Sequence, residues 1–176
     1  MDNLTLYSEE EIKNLDVELC EEQPTNYDTV EKPMHYNKPG AMEAWDVIQR
    51  TVVGYNPENG YYMGNAIKYM LRWFDKNGSE DLRKCRAYLK RVLDVNDSGD
   101  DNKMLRARIT VELIASDIEP LLNGQVYYIG NIGSKLHSCC LRMLYTICTI
   151  NDVKACIDIV DALIAWFKGV EEREGK

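Results

Sequence analysis

The amino-acid sequence predicts an all-α protein, a compact domain built from helical hairpins. Apolar residues recur at helical spacing through most of the chain, as they do on the buried face of an amphipathic helix. Polar stretches containing glycine, asparagine or proline separate these segments. Only residues 125–129 read as a strand, and no second segment with period-two alternation is present to pair with them.

The first 31 residues are predicted to form an acidic leader that is loosely attached. Ten acidic residues and Lys13 alone give this leader a formal charge of −9. A capping-box sequence at Ser8 predicts a short helix to about residue 20. Residues 24–39 contain three prolines and few aliphatic side chains, so this segment is predicted to be irregular.

Helices are predicted for most of the remaining chain. The first three span residues 41–53, 61–74 and 79–93. A turn is expected at residues 54–60, and Asn77-Gly78 ends the second helix before Ser79 caps the third. After a polar linker at 94–101, further helices are predicted at about 103–122, 134–150 and 152–169. We therefore divide the chain into the leader 1–31, a helical unit 32–95 and a second helical unit 102–170 that shares its core.

Two short sequences of the first unit recur in the second. Residues 61–65 (YYMGN) are echoed at 127–131 (YYIGN), and residues 81–85 at 152–156. The second copy has no equivalent of Arg72. A degenerate duplication that lost its ligand groups and a chance similarity between helical hairpins both fit this pattern.

The charge distribution favours a small anionic ligand over duplex nucleic acid. The whole chain of 176 residues has a formal charge of −8, which makes it a poor partner for a polyanion. Residues 60–93, however, hold eight lysines and arginines against three acidic residues. A local basic pocket is therefore compatible with the overall acidity.

No membrane span, export signal or metal-binding cysteine motif is evident. The longest apolar runs are too short to cross a bilayer, and the N-terminus lacks a signal-peptide pattern, so we expect a cytoplasmic protein. The cysteines at positions 85, 139, 140, 148 and 156 lie in apolar helical patterns, where reduced cysteine acts as a small core residue. The absence of Cys-x-x-Cys argues against a zinc site.

Two sets of polar residues each share one face of a predicted helix, because each helical residue advances about 100°. The first set is Asn65, Lys68, Tyr69 and Arg72, and the second contains Asp81, Lys84 and Tyr88. If the two helices pack as an antiparallel hairpin across residues 75–78, the two faces converge. The sequence therefore predicts a cluster of cations, an amide, a carboxylate and aromatic rings.

These residue types suit a phosphorylated ligand. Arg72 can bind phosphate bidentately, and Lys68 supplies a compact charge. Asn65 can recognise a base edge or a sugar hydroxyl, while Tyr69 or Trp73 can stack on a base. The competing interpretation is a set of exposed ion pairs worth about 0–1 kcal/mol each. Tryptophans 45, 73 and 166 are more typical of core positions than of stacking platforms.

The candidate catalytic and metal-binding groups are three carboxylates and a histidine. Asp81 can orient the cations, accept a hydroxyl proton or hold Mg²⁺. Glu43 and Asp46 are three residues apart on one helix face, as metal ligands would be, although such pairs are common on solvated faces. His35 is a candidate acid–base group or phosphate contact, although a lone loop histidine also serves in packing. No P-loop sequence is present.

Four blocks of sequence, in this order, resemble the small phage nucleotide-kinase-like family, also called SaV-like proteins. They are His35-Tyr36, residues 43–48 (EAWDVI), residues 64–72 (GNAIKYxxR) and residues 76–89 (KNGxxDLxKxxxYL). The resemblance covers about residues 33–93 and leaves out the leader and the second helical unit.

The resemblance implies a phage or prophage origin and a nucleotide ligand. A member of that family phosphorylates deoxynucleoside monophosphates without a Walker motif, which would require ATP and Mg²⁺. The site residues that the resemblance favours are His35, Asn65, Lys68, Arg72, Asp81 and Lys84. Taken together with the residue pattern, we predict His35 and Asp81 as catalytic groups and Glu43 and Asp46 as metal ligands. The predicted substrate contacts are Tyr36, Asn65, Lys68, Tyr69, Arg72, Lys84 and Tyr88.

Three functions remain open from sequence. The first is a nucleoside monophosphate kinase-like phosphotransferase, whose catalysis would rest on positioning and charge neutralisation. The second is a non-catalytic sponge that sequesters a nucleotide or a cyclic nucleotide immune signal to counter host defence. The third is a structural role in which the second unit mediates partner binding. A homo-oligomer is expected, and in the second case the site would lie between subunits.

Overall fold

The structure is a computed structural model, and it describes residues 33, 36, 43–108, 110 and 131–174. The chain divides into two compact units, Met1–Pro33 and Met34–Lys176. Apart from Pro33, the first unit lies outside the described residues, and so does its predicted leader helix. The predicted strand-like run 125–129 and most of the predicted helix 103–122 also lie outside them.

The described part of the chain is all-α, as predicted. Its helices are α1 (Ala44–Thr51), α2 (Pro57–Arg72), α3 (Ser79–Val95), α4 (Asn131–Thr146) and α5 (Ile150–Glu174). Within these residues the extended structure is limited to one isolated antiparallel bridge between Met104 and Thr149. No described helix is long and apolar enough to cross a membrane.

Helix α2 begins four residues earlier than the sequence analysis predicts. Asn56 is its N-cap, and the Asn56 side chain accepts a hydrogen bond of 2.7 Å from the backbone N–H of Asn59. Pro57 occupies the first helical turn, where its missing N–H costs nothing. The predicted turn at 54–60 is therefore only partly correct, because its Asn-Pro pair starts a helix rather than continuing a loop.

The helices pack as neighbouring hairpins around one apolar core. Helix α2 packs against α3, α3 against α5, and α5 against α4, while α1 lies on α2. The core residues with no exposed surface include Met63, Ile67, Met70, Leu82, Leu89, Leu144, Val160 and Leu163. At Gly64 a Cβ atom would lie 3.2 Å from Ile48 Cγ2, so glycine lets α1 approach α2 closely.

The three tryptophans occupy different environments. Trp73 is fully buried, and its Nε1–H donates a 3.0 Å hydrogen bond to Nδ1 of the buried His137. Trp166 is half-buried and packs against Gly133. Trp45 is 64% exposed, so the prediction of a core position is wrong for this residue. A helical face containing Ala44 and Val47 is buried instead, and Trp45 lies outside that stripe.

Arg106 joins the ends of two helices from a buried position after the linker. It is 3% exposed, and its guanidinium donates to the carbonyl oxygens of Thr51 at 2.7 Å, Ile147 at 2.8 Å and Tyr145. The guanidinium also lies 4.5 Å from the ring centroid of Tyr55. These carbonyls come from the C-terminal ends of α1 and α4, where backbone acceptors lack helical partners.

The cysteines of the described residues are free thiols. Cys85, Cys140, Cys148 and Cys156 are buried, as predicted, whereas Cys139 is exposed. Burial raises the pKa of Cys156 to about 12, and it also raises the pKa of Cys85. These thiols therefore stay protonated and act as small apolar side chains.

The predicted duplication remains a prediction. Its first pair of segments includes residues outside the described part of the chain. In the second pair, Leu82 and Val153 are both fully buried, as are Cys85 and Cys156. The two copies therefore present the same positions to the core.

Candidate functional site

A short turn brings the end of α2 against the start of α3. Residues 73–78 form this turn, which is closed by a 2.7 Å hydrogen bond from the Gly78 N–H to the Trp73 carbonyl. Gly78 has a φ of 51°, and a Cβ atom there would lie 3.0 Å from Phe167. Glycine therefore satisfies both the left-handed conformation and the close packing. The turn places Arg72 opposite Asp81.

Arg72 and Asp81 form a buried, bidentate ion pair. Arg72 Nε lies 2.9 Å from Asp81 Oδ2, and Arg72 Nη2 lies 3.3 Å from Asp81 Oδ1. The Asp81 side chain has no exposed surface, and that of Arg72 is 11% exposed. Asn77 Nδ2 also donates to Asp81 Oδ1 at 3.0 Å. Of the three roles predicted for Asp81, this geometry favours orienting the cation.

The Arg72 guanidinium also contacts two tyrosine side chains. Its Nη1 donates a 2.6 Å hydrogen bond to the Tyr36 hydroxyl, and its guanidinium carbon lies 4.7 Å from the Tyr69 ring centroid. Burial lowers the pKa of Arg72, but the hydrogen bonds to Asp81 and Tyr36 more than offset this and raise it. Arg72 is therefore a fixed positive charge in the site.

Tyr69 is the centre of a group of cations. Lys68 Nζ lies 4.8 Å from its ring centroid and Lys84 Nζ lies 5.7 Å from it, in addition to Arg72. Tyr88 of α3 stacks on Tyr69 with a centroid distance of 5.7 Å and an interplanar angle of 19°. The hairpin therefore joins the two predicted polar faces through one aromatic pair.

Lys68 and Lys84 differ in how their charges are compensated. Lys84 Nζ lies 2.5 Å from Glu80 and 3.8 Å from Asp81, and the hydrogen bond with Glu80 raises its pKa. Within the described part of the chain, Lys68 forms no ion pair, and its Nζ donates to the neutral Asn65 Oδ1 at 2.8 Å. Burial and the neighbouring charge of Arg72 lower the pKa of Lys68. Lys68 is therefore the cation that an added anion would stabilise most.

Asn65 retains part of its hydrogen-bonding capacity. Its Nδ2 donates to the Tyr61 carbonyl at 2.8 Å, and its Oδ1 accepts from Lys68. A primary amide has two N–H groups and two acceptor lone pairs, so one of each is left for a ligand. The predicted role in reading a base edge or a hydroxyl is chemically compatible with this arrangement.

Two further tyrosines extend the cluster beyond the residues that the sequence analysis selects. The Tyr61 and Tyr62 rings lie 5.5 Å apart and the Tyr61 and Tyr88 rings 6.3 Å apart, both edge to face. Tyr61 precedes Asn65 by four residues and Lys68 by seven, so the helical spacing that selects Asn65 and Lys68 also selects Tyr61. Tyr61 is the first residue of the predicted helix 61–74, but the predicted polar face begins only at Asn65.

We call this surface the tyrosine–cation face. It consists of Tyr36, Tyr61, Tyr62, Asn65, Lys68, Tyr69, Arg72, Lys84 and Tyr88, with Asp81 buried beneath Arg72. Trp73, the alternative stacking residue, is not part of it because it is fully buried.

The other predicted site residues lie elsewhere or outside the described residues. Glu43 precedes α1 as its N-cap and Asp46 lies in its first turn, and both are exposed. Among the described residues, no group of three or more histidine, cysteine or acidic side chains could hold a metal ion. His35 lies outside the described residues. The roles of Glu43, Asp46 and His35 stay predictions.

Comparison with known proteins finds a sequence-family model that matches the region of the site. Residues 30–90 match the model of a family described as a protein of unknown function (DUF3310). This match includes α1, α2 and most of α3, and thus the whole tyrosine–cation face. No curated protein matches the chain. No solved structure matches it either.

Proposed function

We propose that this protein binds a nucleoside phosphate on the tyrosine–cation face. The observation that carries the proposal is the group of three cations within 6 Å of the Tyr69 ring, at 4.7, 4.8 and 5.7 Å. The charge of Arg72 is neutralised by the buried Asp81 carboxylate. Among the described residues, the hydrogen-bond partner of Lys68 Nζ is the neutral Asn65 amide, and no carboxylate pairs with it. A phosphate would supply the missing negative charge and accept hydrogen bonds from both lysines.

The surrounding groups suit the rest of a nucleotide. Tyrosine rings provide flat apolar surfaces, and Asn65 provides one donor and one acceptor for a base edge or a sugar hydroxyl. The resemblance of residues 33–93 to phage nucleotide-kinase-like proteins supports the same ligand class. It also supports a phage origin and a place of action in the cytoplasm of a bacterial host.

Catalysis of phosphoryl transfer to the bound nucleotide is a separate part of the proposal. In a kinase-like reaction, ATP would be the donor and Lys68, Arg72 and Lys84 would neutralise the transferred phosphoryl group. The described residues do not provide a donor set that fits Mg²⁺, because both Asp81 oxygens are engaged and Glu43 and Asp46 are a lone exposed pair.

The burial of Asp81 favours the alternative function, a binder without turnover. A carboxylate with no exposed surface, held by Arg72 and Asn77, is not presented to a substrate hydroxyl. A phage protein of this kind could sequester a nucleotide or a cyclic nucleotide immune signal. Homo-oligomerisation remains part of the proposal, and in this alternative the site would lie between subunits.

Isothermal titration calorimetry with ATP, cyclic dinucleotides and each deoxynucleoside monophosphate tests the binding proposal. Lys68→Met should weaken binding about tenfold or more, because a hydrogen bond to a charged group is lost. Lys90→Met is the matched control, since Lys90 is an exposed lysine on α3 outside the tyrosine–cation face. Equal affinities of the two variants would overturn the proposal.

Incubation with ATP, Mg²⁺ and each deoxynucleoside monophosphate then separates the two functions. Formation of a nucleoside diphosphate that is lost in Lys68→Met supports the kinase. Binding of a nucleotide without any product, under conditions where the protein is folded, supports the non-catalytic binder.

A further inference from the structure

We infer that Tyr61 is the stacking platform for the ligand's base, and that this ring, rather than Tyr69, makes the site specific for nucleotides over other phosphates. The inference rests on the proposed function, because it names the part of the same face that recognises the base. Three observations on the described residues carry it.

The first observation is that Tyr69 is already fully engaged. Tyr88 stacks against it at 5.7 Å with nearly parallel planes, and Lys68, Arg72 and Lys84 lie within 6 Å of its centroid. A base could stack on Tyr69 only by displacing Tyr88 or the cations that would hold the phosphate. Tyr69 therefore orders the cations by cation–π contacts and is not open to a base.

The second observation is that Tyr61 is both exposed and fixed. The Tyr61 residue is 61% exposed, whereas the other tyrosines in the described part of the chain are half-buried or buried. Edge-to-face contacts hold the ring against Tyr62 and Tyr88. An exposed tyrosine side chain normally samples several rotamers, and a stacked base would restrict it to one. Because the Tyr61 ring is already held by its neighbours, less conformational entropy is lost when a base stacks on it.

The third observation is the order of groups along α2. Tyr61, Asn65 and Lys68 are spaced by four and three residues, so they form one stripe on the helix. With a rise of about 1.5 Å per residue, Tyr61 and Lys68 are separated by about 10 Å along the helix axis. An amide with spare hydrogen-bonding capacity lies between them. This order matches a base on Tyr61, a base edge or sugar hydroxyl at Asn65, and phosphates at Lys68.

The positions of the neighbouring aromatic side chains leave Tyr61 as the ring on which a base can stack. Trp73 is buried in the core, and Tyr36 holds the Arg72 guanidinium. Tyr62 and Tyr88 are half-buried and support Tyr61 from the side. The base of the ligand therefore meets the Tyr61 ring first.

Paired ligands with and without a base test the inference. Binding of ATP, GTP, dTTP and dCTP is compared with binding of inorganic triphosphate by calorimetry, in EDTA so that metal binding does not contribute. Tyr61→Ala should weaken nucleoside triphosphate binding about tenfold and leave inorganic triphosphate unchanged, because only the stacking contact is lost. Lys68→Met should weaken both ligands, and Tyr61→Phe should bind nucleotides nearly as the wild type does.

The outcomes separate this inference from the proposed function. If the wild type binds nucleotides and Tyr61→Ala binds them with unchanged affinity, the inference is overturned and the proposed function stands. If Tyr61→Ala weakens nucleotide and inorganic triphosphate equally, the ring acts only through the fold, which also overturns the inference. If no nucleotide binds to the wild type, the proposed function and the inference are both wrong. Tyr61→Leu, which keeps apolar bulk without an aromatic face, repeats the test if Tyr61→Ala does not fold.

Discussion

Removing the Asp81 carboxylate should destabilise the fold, because it breaks the buried ion pair beneath the tyrosine–cation face. In Asp81→Ala, the Arg72 guanidinium loses both hydrogen bonds to the carboxylate, at 2.9 and 3.3 Å, while its side chain remains only 11% exposed. Breaking one side of a buried ion pair costs about 3–5 kcal/mol. Because Arg72 keeps its hydrogen bond to Tyr36, we expect the lower end of this range.

Urea unfolding, followed by circular dichroism, measures this effect. A loss of about 3 kcal/mol corresponds to a decrease of about 6–12 °C in Tm for a chain of this length. Glu80→Ala is the control: Glu80 pairs with Lys84, but the two side chains are 56% and 38% exposed. Loss of such an exposed pair should cost less than about 1 kcal/mol.

A double-mutant cycle shows whether the ion pair itself is responsible. Arg72→Met combined with Asp81→Leu replaces both charges by apolar groups, so it should be less destabilising than the sum of the single changes. An Asp81→Ala variant that is as stable as Glu80→Ala would refute the reasoning. It would instead indicate that Asp81 is free to act on a substrate.

Three further predictions concern the rest of the fold. Gly133→Ala should destabilise the protein by about 1–3 kcal/mol, because its Cβ would overlap the Trp166 ring; an unchanged Tm would show that the ring moves aside at no cost. Arg106→Met should cost about 3 kcal/mol by leaving the buried carbonyls of Thr51 and Tyr145 without their donor, whereas the Ile147 carbonyl keeps the Tyr55 hydroxyl at 2.8 Å; urea unfolding that matches the wild type would contradict this. Partial burial raises the pKa of Asp152, but backbone N–H donors at positions 148 and 149 lower it below its ordinary value. The carboxylate therefore stabilises the folded state above about pH 4, and the stability difference between wild type and Asp152→Asn should shrink as the pH falls below that value; a difference that is constant from pH 7 to pH 3 would count against it.

The convergence of the two polar faces was predictable from sequence. The helical period alone places Lys68, Tyr69 and Arg72 on one side of α2, and it places Asp81 and Lys84 on one side of α3. The short turn between them contains Asn77-Gly78, which favours an antiparallel helical hairpin. These local rules are sufficient to identify which side chains meet.

The roles of those side chains were not predictable in the same way. Arg72 is equally suited to a phosphate or to a carboxylate, and only the geometry of the turn decides that Asp81 lies within 2.9 Å of it. The start of α2 was also ambiguous, because Asn56-Pro57 is typical both of a turn and of a helix N-terminus. The predicted helix still contained Tyr61, but only as its first residue, outside the face counted from Asn65.

Burial of large side chains depends on which face of a helix finds a neighbour. Trp45 lies next to Ala44 in sequence, yet Ala44 is buried and Trp45 is exposed, because α1 presents a narrow stripe to α2. Residue type alone therefore gives the wrong environment for this tryptophan. The buried contact between Trp73 and His137 joins residues 64 positions apart, so no local pattern predicts it.

The most direct measurement of the central claim is a nucleotide titration of the protein with ¹³C-labelled lysine ε-carbons, followed by NMR. We expect ATP to shift the Lys68 and Lys84 signals in a saturable manner and to leave the Lys90 signal in place. The Lys68 signal is assigned by its absence from the spectrum of Lys68→Met. Saturable binding that moves other lysine signals and leaves those of Lys68 and Lys84 unchanged would contradict the account.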